Sequence, residues 1–563
     1  MILETVIKDF NLLFVIFTDG SATDYLGWSN IGYLISYIEK YDPSIHIDVK
    51  FFMKDTSFDS IAEIVVETCP DLIGLPVLQE NFNISLDFCE YIKKILSESR
   101  IVLGNIEATV NSQYILSNYD SVDFIVIGEG EETLLDLCKH LKLKRSLDTC
   151  KGIIWKKNGV VINNPLRPLL NNLDEYPFPT RNFHESKRTS YSIIGSRGCL
   201  AKCTFCDSNV IYSDYTAEGS NIVRIRSMAN VLDEMEELVK KRGCLYIIFY
   251  DSTFCRSEED IEERLSLLYE GMCKRDLYVQ MFINLRVEQI SDDVMLIINK
   301  LITRGLDTLF LGIETGSQDD LTLYGKRTRI NDNYNAIKLL KKYGIIGPRP
   351  PIIFEFGFIC FNPYSTLEKL KQNISFIRDN ELYMDFSLLK NKLRISGGAS
   401  IVKKIKGEGL LLQDHDLPII DPLCYRFADV KIQRVLDILE HCDTIFNMKY
   451  FRKLTTLYNR YCLVYDNKDK VFSNITHMYD EYIDYKTYIS KVTIDVFEKI
   501  VNLVENEVMD YKPIVDYEYH KHREYIKLSN ANIEILRRKL AILLFKKNSL
   551  MYDSLSESIA FEK

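Results

Sequence analysis

Long apolar runs are missing from this sequence of 563 residues: none reaches the roughly 18 consecutive apolar residues that a membrane-spanning helix needs. Positive charge is not in excess either, because 70 Lys and Arg stand against 80 Asp and Glu, a net charge of -10. Contact with phosphates requires clustered positive charge, so the sequence predicts neither a nucleic-acid nor a membrane-surface partner. The N-terminus carries Glu4 and Asp9 instead of the basic start of a secretory signal, which predicts a cytoplasmic protein.

Internal repeats and low-complexity tracts are also absent. The composition is that of an ordinary globular protein, with 46% hydrophobic and 27% charged residues. It therefore excludes a disordered, collagen-like or coiled-coil chain. At about 150 residues per domain, the length favours three to four domains.

Residues 1–150 alternate short apolar runs with amphipathic stretches, beginning with the run LLFVIF at 12–17. Strands that alternate with helices at this spacing predict a doubly wound, Rossmann-like parallel sheet. Ligands of such sheets bind beyond the carboxyl ends of the strands, where the glycine-rich turn 128–132 is expected. Residues 151–190 contain prolines and asparagines with little periodicity, and we expect a connector there.

A second alternating series occupies residues 191–400 and comprises six strand–helix units, with the last strand predicted at 386–395. Six such units predict a partial (β/α)6 barrel of the TIM type, whose site is built by loops at the carboxyl ends of the strands. Residues 401–563 are mostly helical by their period. We therefore expect an α/β protein with a helical C-terminal domain that caps the barrel or docks a substrate.

Three of the 14 cysteines are closely spaced, whereas the others are scattered singly. Cys199, Cys203 and Cys206 form a C-x3-C-x2-C segment on the loop after the first barrel strand. Thiolates are the usual ligands of iron–sulfur clusters, and three of them can hold three irons of a four-iron cluster and leave the fourth open to a small molecule. A structural zinc site needs four protein ligands, and the loop has no fourth cysteine or histidine. Three unrelated cysteines or a zinc clip are the alternatives.

This motif and the segments after it resemble the radical S-adenosylmethionine (SAM) enzymes. That family has C-x3-C-x2-C after the first strand of a partial barrel, an acidic residue after the second strand, a basic residue on the third, GIESGS after the fourth and GFIIGxPxET on the fifth. The matching positions here are Phe205 before the last cysteine, Asp251 in FYDSTF, Arg286 in NLRVE, Glu314 and Ser317 in GIETGSQ, and residues 357–366, GFICFNPYST.

The resemblance implies a 4Fe-4S cluster on the three cysteines and SAM at its open iron. It further implies reductive cleavage of SAM to a 5′-deoxyadenosyl radical, with electrons from a reductant of the flavodoxin or ferredoxin type. All five matching residues are expected near SAM, with Glu314 and Ser317 at its ribose or methionine moiety and Arg286 at its carboxylate. The alternatives are a strand-end carboxylate, a helix N-cap serine and an arginine that pairs within the barrel.

The segments DLIGLPVLQEN, IVLGNIEATV and VDFIVIGEGEETLLDL are similar to the cobalamin-binding domain that is fused to radical SAM barrels. The resemblance implies a bound cobalamin near Gly104, Gly128, Glu129 and Gly130. The sequence GNIE, with Asn105 and Glu107, stands where the family reads Gly-Gly-Pro-His, whose second glycine lets the backbone approach the corrin. No D-x-H-x-x-G element occurs, which implies a cobalt without a histidine ligand from that motif.

The preferred function is a cobalamin-dependent radical SAM methyltransferase that acts on an unactivated carbon. A cyclase, rearrangement enzyme or epimerase of the same architecture is the second candidate, and a non-catalytic iron–sulfur or cobalamin sensor is the third. The chain lacks the second cysteine triplet of methylthiotransferases and the many C-terminal cysteines of enzymes with auxiliary clusters. The segments 393–411 and 425–429 look like those of enzymes that modify ribosomally made peptides, but also of enzymes of small metabolites, so either a precursor peptide or a small molecule is the expected substrate.

Overall fold

The computed structural model describes residues 10–19, 28–182, 189–255, 260–347, 350–413, 418–419, 421–446 and 470–547. The strands are β1 (Phe10–Thr18), β2 (Ile45–Met53), β3 (Leu72–Pro76), β4 (Arg100–Gly104), β5 (Phe124–Val126), β6 (Ile153–Lys157), β7 (Val160–Asn163), β8 (Ser190–Ile193), β9 (Ser196–Arg197), β10 (Arg224–Ile225), β11 (Tyr246–Phe249), β12 (Gln280–Arg286), β13 (Leu306–Glu314) and β14 (Ile353–Phe358). The helices of the first half are α1 (Ser29–Tyr41), α2 (Phe58–Glu67), α3 (Phe82–Ile95), α4 (Ile106–Val110), α5 (Ser112–Asn118), α6 (Glu131–Lys142), α7 (Asp207–Ile211), α8 (Ser213–Ala217), α9 (Met228–Arg242) and α10 (Ile261–Lys274). Those of the second half are α11 (Asp292–Ile302), α12 (Gln318–Leu323), α13 (Ile330–Lys342), α14 (Leu367–Asp379), α15 (Phe386–Leu389), α16 (Ile401–Gly407), α17 (Val430–Phe446), α18 (Lys470–Glu505) and α19 (Lys512–Lys547).

The first sheet has seven strands in the order β2-β1-β3-β4-β5-β6-β7. Strands β1 to β5 are parallel, which confirms the predicted Rossmann-like arrangement. Helices α1 and α6 pack on one face, and α2, α3 and α5 pack on the other, in two separate apolar clusters. Because both faces are covered, β3 is buried at every position, as is typical of parallel strands.

This sheet extends into the residues that the sequence assigns to a connector. Strands β6 and β7 form an antiparallel hairpin that continues the sheet from β5, with Trp155 opposite Phe124. The two-residue turn is Asn158-Gly159, and both residues have positive φ, 52° and 79°. Asn-Gly is the preferred sequence for such a tight hairpin turn, because both positions need a left-handed backbone.

The second sheet contains five parallel strands in the order β8-β11-β12-β13-β14. The prediction of a sixth strand at 386–395 is wrong in detail. Phe386–Leu389 is the short helix α15, and within this range only Lys392 forms a bridge, to Phe361. The carboxylate of Asp385 accepts a hydrogen bond from the N–H of Leu388 at 2.9 Å, which caps a helical turn there. The partial barrel thus has five full strands and a sixth reduced to one bridge.

The two faces of a barrel strand differ in burial. On β12, Ile283 and Leu285 are almost fully buried in the cluster beneath the helices, whereas Asn284 and Arg286 on the opposite face are only partly buried. Because side chains alternate along a strand, the barrel interior is reached by solvent and carries polar groups toward the carboxyl end of β12.

The C-terminal helices pack against the side of the barrel, which confirms the predicted helical C-terminal domain. Helix α18 contacts α14, α17 and α19. Ion pairs join the barrel to it, including Lys371 with Glu505 at 2.7 Å and Arg378 with Glu498 at 2.9 Å. Within the described part of the chain, no helix combines the length and apolar character that crossing a membrane requires.

Candidate functional site

The three cysteines of the C-x3-C-x2-C segment lie on the loop between β9 and α7, and all three are free and partly exposed. The N–H of Cys206 donates to the carbonyl of Cys203 at 3.3 Å, and the amide of Asn209 donates to the same carbonyl at 3.0 Å. Cys206 lies within electrostatic range of both Cys203 and Cys199. This donor set fits a cluster ligated by three cysteines.

The cysteine loop is anchored on the barrel. The N–H and the hydroxyl of Thr204 donate to the carbonyls of Tyr324 and Leu323, each at 2.9 Å, and the carbonyl of Thr204 accepts from the N–H of Ile401 at 3.0 Å. Phe205 packs edge-on against the buried ring of Tyr324, with centroids 5.4 Å apart. The ring that the resemblance places near SAM therefore also fixes the loop to the residues after β13.

Buried charges hold the turn Gly195–Ser196 that leads into the cysteine loop. The carboxylate of Asp251 accepts from the N–H of Gly195 at 2.6 Å and from that of Ser196 at 2.9 Å, while Arg264 donates to the carbonyl of Gly195 at 3.0 Å. Burial raises the pKa of Asp251 to about 6, although the two N–H groups and Arg264 oppose this. Asp251, a predicted SAM contact, thus binds the backbone that leads to the cysteines.

Glu314 lies at the end of β13 with a strained backbone. Its φ is 67°, in the left-handed region that non-glycine residues avoid, and the pairing with β14 is irregular there. Its carboxylate is 2.9 Å from the ammonium of Lys326, which also donates to the carbonyl of Gly312 at 2.6 Å. A Cβ at Gly312 or Gly357 would lie 2.7 or 2.8 Å from this carboxylate, so both glycines leave it room. Backbone strain of this kind clusters at functional sites.

Two positive charges lie near the thiols. Burial raises the pKa of Cys203 to about 11, while Lys326 and Arg286 act to lower it. Arg286 ends β12, pairs with Glu288 and also interacts with Cys199. A thiol must lose its proton before it binds iron, so these charges favour the ligating form. The structure thus brings Arg286 to the cysteines together with Lys326, a residue that the sequence reasoning missed.

Several buried polar atoms of the barrel have no hydrogen-bond partner among the described residues, including one on Ser317 and one on Asn284. The hydroxyl of Ser317 is fully buried at the start of α12 and does not cap that helix, although an N-cap role was the alternative for it. The side-chain oxygen of Asn284 on β12 is also buried and has no hydrogen-bond partner among the described residues. An unpaired buried polar atom is costly, so both atoms fit contact with a polar ligand such as SAM.

The carboxyl end of β4 is open at Gly104. Gly104 ends β4, and a Cβ there would meet no atom within 4 Å. The next residue, Asn105, has φ 75° and ψ −176°, a conformation almost confined to glycine, and its side chain accepts from the N–H of Ile106 at 2.8 Å. The backbone therefore keeps a glycine-type conformation where the cobalamin-binding family has its second glycine.

Replacing Asn105 by glycine is expected to raise the free energy of unfolding by about 1 to 2 kcal/mol. The glycine relieves a strain of about 1–3 kcal/mol, and the loss of an N-cap side chain to glycine costs only a few tenths. Denaturant unfolding of the cofactor-free protein measures the change. The alanine variant, which keeps the strain and loses the side-chain hydrogen bond, serves as the comparison. A glycine variant that is less stable than the wild type would contradict the assignment of strain.

The turn after β5 contacts the barrel half of the molecule. The carboxylate of Glu129 accepts from the hydroxyl of Tyr212 at 2.7 Å and from Arg224 at 3.0 Å, and Arg197 lies 3.2 Å away. Burial opposes its ionisation, but the charges of Arg197 and Arg224 outweigh burial and lower the pKa of Glu129 to about 2. The oxygens of Glu129, expected near cobalamin, thus bind side chains that lie beside the cysteine loop.

The two glycines of this turn allow close packing. Gly128 has φ 71°, and a Cβ there would lie 2.9 Å from the hydroxyl of Tyr215 on α8. A Cβ at Gly130 would lie 3.1 Å from Leu34 on α1. Gly104 therefore faces open space, whereas Gly128 and Gly130 face neighbouring helices.

The open edge of the first sheet and the cysteine loop meet at one junction. Helix α4, which begins directly after Asn105, contacts α7, which begins directly after Cys206. Gly398 packs between them, because a Cβ there would lie 2.4 Å from Val210 and 3.2 Å from Val110. Two loops, each at the carboxyl ends of its own parallel sheet, therefore face each other.

Glu107 is buried on α4 at this junction, and we expect its ionisation to make the stability of the protein depend on pH. Burial and the nearby carboxylate of Asp207 raise its pKa from 4.5 to about 7. Because the folded-state pKa is the higher one, the carboxyl group makes the fold less stable as the pH rises from about 4.5 through 7. The change Glu107→Gln should therefore increase the free energy of unfolding more at about pH 8 than at about pH 5, by up to about 3 kcal/mol. Denaturant unfolding at both pH values measures this difference, and an equal effect at both would contradict it.

The matches to known protein families coincide with the two sheets. The model of the radical SAM superfamily matches residues 193–375, and that of the B12 binding domain matches residues 30–138. An uncharacterized methyltransferase of Pyrococcus horikoshii is 26% identical over 64% of this chain and 74% of its own. An anaerobic magnesium-protoporphyrin IX monomethyl ester cyclase of Rubrivivax gelatinosus is 28% identical over 62% of this chain, and the alignment spans only 61% of the cyclase.

Two solved structures share the fold. The cobalamin-dependent SAM radical enzyme OxsB, with aqua-cobalamin bound, has a TM-score of 0.65 at 18% identity and covers 96% of this chain and 81% of its own. The radical SAM methyltransferase TsrM from Kitasatospora setae, with cobalamin and a [4Fe-4S] cluster, has a TM-score of 0.57 at 14% identity and covers 88% of this chain and 99% of its own. The shared architecture includes both halves of the molecule.

Proposed function

Because the chain belongs to the radical SAM enzymes that carry a cobalamin-binding domain, we propose that it transfers a methyl group from SAM to an unactivated carbon of its substrate. The cofactors of this family are a 4Fe-4S cluster, SAM and cobalamin. When bound, they supply radical chemistry that removes a hydrogen atom and the chemistry of methyl transfer. The observation that carries the proposal is the junction of α4 and α7, which sets the open edge of the first sheet against the cysteine loop.

In this proposal the barrel residues have separate tasks. Cys199, Cys203 and Cys206 hold the cluster, while Arg286 and Lys326 keep positive charge beside the thiols. That charge stabilises the thiolates and attracts the carboxylate of an incoming SAM.

Glu314 and Ser317 orient SAM in this proposal, and the corrin binds at the carboxyl edge of the first sheet. Glu314, held at the barrel mouth by Lys326, binds the ribose or the amino group of SAM, and the unpaired hydroxyl of Ser317 supplies a second polar contact. Gly104 and Asn105 form the edge that the corrin approaches, because the first has no side chain and the second keeps the glycine-type backbone.

The change Glu314→Gln should weaken SAM binding by roughly tenfold or more, because a hydrogen bond to a charged group is worth about 1.5–3 kcal/mol. Iron content should stay at the wild-type level, since Glu314 is not a ligand. Equilibrium dialysis of the reconstituted enzyme with SAM measures the affinity. Glu236→Gln removes a surface carboxylate that pairs with Lys240 and should leave the affinity unchanged. Equal affinities in both variants would show that Glu314 does not bind SAM.

A second candidate is a cyclisation or ring rearrangement that transfers no methyl group. It is favoured by the names of two relatives, the magnesium-protoporphyrin IX monomethyl ester cyclase of Rubrivivax gelatinosus and the 4'-phospho-dehydrooxetanocin synthase of Priestia megaterium. The second is 24% identical over 63% of this chain, and the alignment spans 48% of that enzyme.

The products derived from SAM separate the two candidates. The reconstituted enzyme would be incubated with reductant and SAM that carries a CD3 group. A methyltransferase yields both 5′-deoxyadenosine and S-adenosylhomocysteine, and omission of the corrinoid removes only the second product. Formation of 5′-deoxyadenosine without S-adenosylhomocysteine, with corrinoid bound, would overturn methyl transfer in favour of the second candidate.

We propose a ribosomally made peptide as the substrate. The segment 393–411, which resembles those of peptide-modifying enzymes, passes the junction, where Gly398 packs between Val110 and Val210. A substrate at the junction would contact this segment. Transfer of the CD3 group into the peptide fraction of a cell extract supports the proposal, whereas transfer only into small molecules identifies the alternative substrate class.

A further inference from the structure

Four buried charges join the turn after β5 to the ribbon formed by β9 and β10. They are Glu129 and Glu131 on the first sheet's side and Arg197 and Arg224 on the barrel's side, and each side chain is exposed by 12% or less. Two carboxylates face two guanidinium groups, so the group is electrically balanced. We call these four residues the interdomain ion cluster.

The contacts within the interdomain ion cluster are specific. Arg224 forms a two-pronged contact with the carboxylate of Glu129 and donates to the carbonyl of Leu170 at 3.1 Å. Arg197 bridges the two carboxylates, with Glu129 at 3.2 Å and Glu131 at 2.5 Å. Forked contacts from arginine fix orientation as well as distance.

Aromatic rings enclose Arg197 and hold it in place. Its guanidinium lies 4.6 Å from the ring centre of Tyr176 and 5.4 Å from that of Tyr33. Both rings belong to the apolar cluster on one face of the first sheet. Arg197 is therefore inserted from the barrel half into the packed interior of the other half.

The interdomain ion cluster is continuous with the cysteine loop. Arg197 pairs with Arg224 across the ribbon and is followed by Gly198 and then by the ligand Cys199. Gly198 has φ 80°, and a Cβ there would lie 2.1 Å from the carbonyl oxygen of Ile222. A displacement of Arg197 would therefore be passed to Cys199 through a segment that has no room to absorb it.

We propose that Glu129, Glu131, Arg197 and Arg224 are positioning residues that fix the distance between the iron–sulfur cluster and cobalamin. The inference rests on the proposed function for the use of both cofactors, but not on methyl transfer. Removing one charge leaves the opposite charge buried without its partner, and the two halves must then separate or admit water to solvate it. The cysteine loop and the cobalamin edge would lose their fixed geometry, although each would keep its own ligand residues.

The test is the variant Glu129→Gln, which has nearly the same shape and lacks the charge. Hydrogen exchange of the cofactor-free protein should accelerate by at least about tenfold in peptides that cover residues 196–206 and 222–226, as well as in the turn itself. In the reconstituted protein, pulsed electron paramagnetic resonance should show a broadened and shifted distance between the reduced cluster and Co(II) of the corrinoid. Iron and corrinoid content should remain at the wild-type level.

A matched control lies inside the first sheet. Asp123 pairs with Lys93 and Arg100, each at 2.8 Å, and Asp123→Asn should accelerate exchange near β4 and β5 without changing that of residues 196–206. If Glu129→Gln does not fold, Arg224→Lys, which keeps the charge and loses the forked contact, takes its place with a smaller change of the same kind. Unchanged exchange at 196–206 and an unchanged cluster–cobalt distance would overturn the proposal. If the wild-type enzyme forms no S-adenosylhomocysteine, only the proposal of methyl transfer is overturned.

Discussion

Cys203→Ala should abolish SAM cleavage and leave the fold intact. With two cysteines left, the loop cannot hold three irons of a four-iron cluster, so a loss of at least about a thousandfold in 5′-deoxyadenosine is expected. The thiol is partly exposed on a loop, so its removal should cost little stability. Reconstitution followed by an iron assay and quantification of 5′-deoxyadenosine measures the effect.

The control for this experiment is Cys442→Ala. Cys442 is fully buried in α17, where burial raises the pKa of its thiol to about 12, so it is a structural residue. Its variant should lose some stability and keep its iron. Full SAM cleavage by the Cys203 variant would contradict the assignment of the cluster ligands.

Gly198→Ala should prevent assembly of the cluster. The new Cβ would lie 2.1 Å from the carbonyl oxygen of Ile222, a distance that no rotation of the added methyl group relieves, because the obstacle is backbone. The ribbon of β9 and β10 must open, and Cys199 moves with it. We expect most of the bound iron to be lost and the free energy of unfolding to fall by several kcal/mol, in the range of about 1–3 kcal/mol for overpacking plus about 1–2 for the left-handed backbone.

Gly219→Ala separates the clash from the backbone conformation. Gly219 has φ 78°, close to the 80° of Gly198, but a Cβ there would meet no atom within 4 Å. Its variant should show only the cost of the left-handed backbone and should retain its iron. Equal iron content in the two variants would show that the close approach at Gly198 does not matter for the cysteine loop.

Most of the fold could be predicted because its signals are local. The apolar runs form the parallel strands, and the amphipathic stretches between them form the helices. The sixth barrel strand could not be predicted in detail, because its apolar run also allowed the helical turn that Asp385 caps. The hairpin of β6 and β7 had a sequence signal in Asn158-Gly159, and the prolines and asparagines around it obscured that signal.

The candidate cluster ligands could be proposed from the sequence because one short motif contains all three cysteines. Arg286 and Glu314 lie within electrostatic range of Cys203, and their contacts with SAM stay predictions. Lys326 was missed because it returns to the site from beyond α12, a connection that only tertiary structure reveals. The same holds for the contact of Glu129 with Arg224, which are 95 residues apart in the chain.

The use of both cofactors by one chain is tested most directly by counting them. The protein would be reconstituted without oxygen in the presence of iron, sulfide and hydroxocobalamin, then desalted and assayed. We expect about four irons and one corrinoid per chain, with 5′-deoxyadenosine formed when SAM and reductant are added. Four irons with no corrinoid would contradict this expectation, because the open edge at Gly104 would then not be a cofactor site facing the cysteine loop.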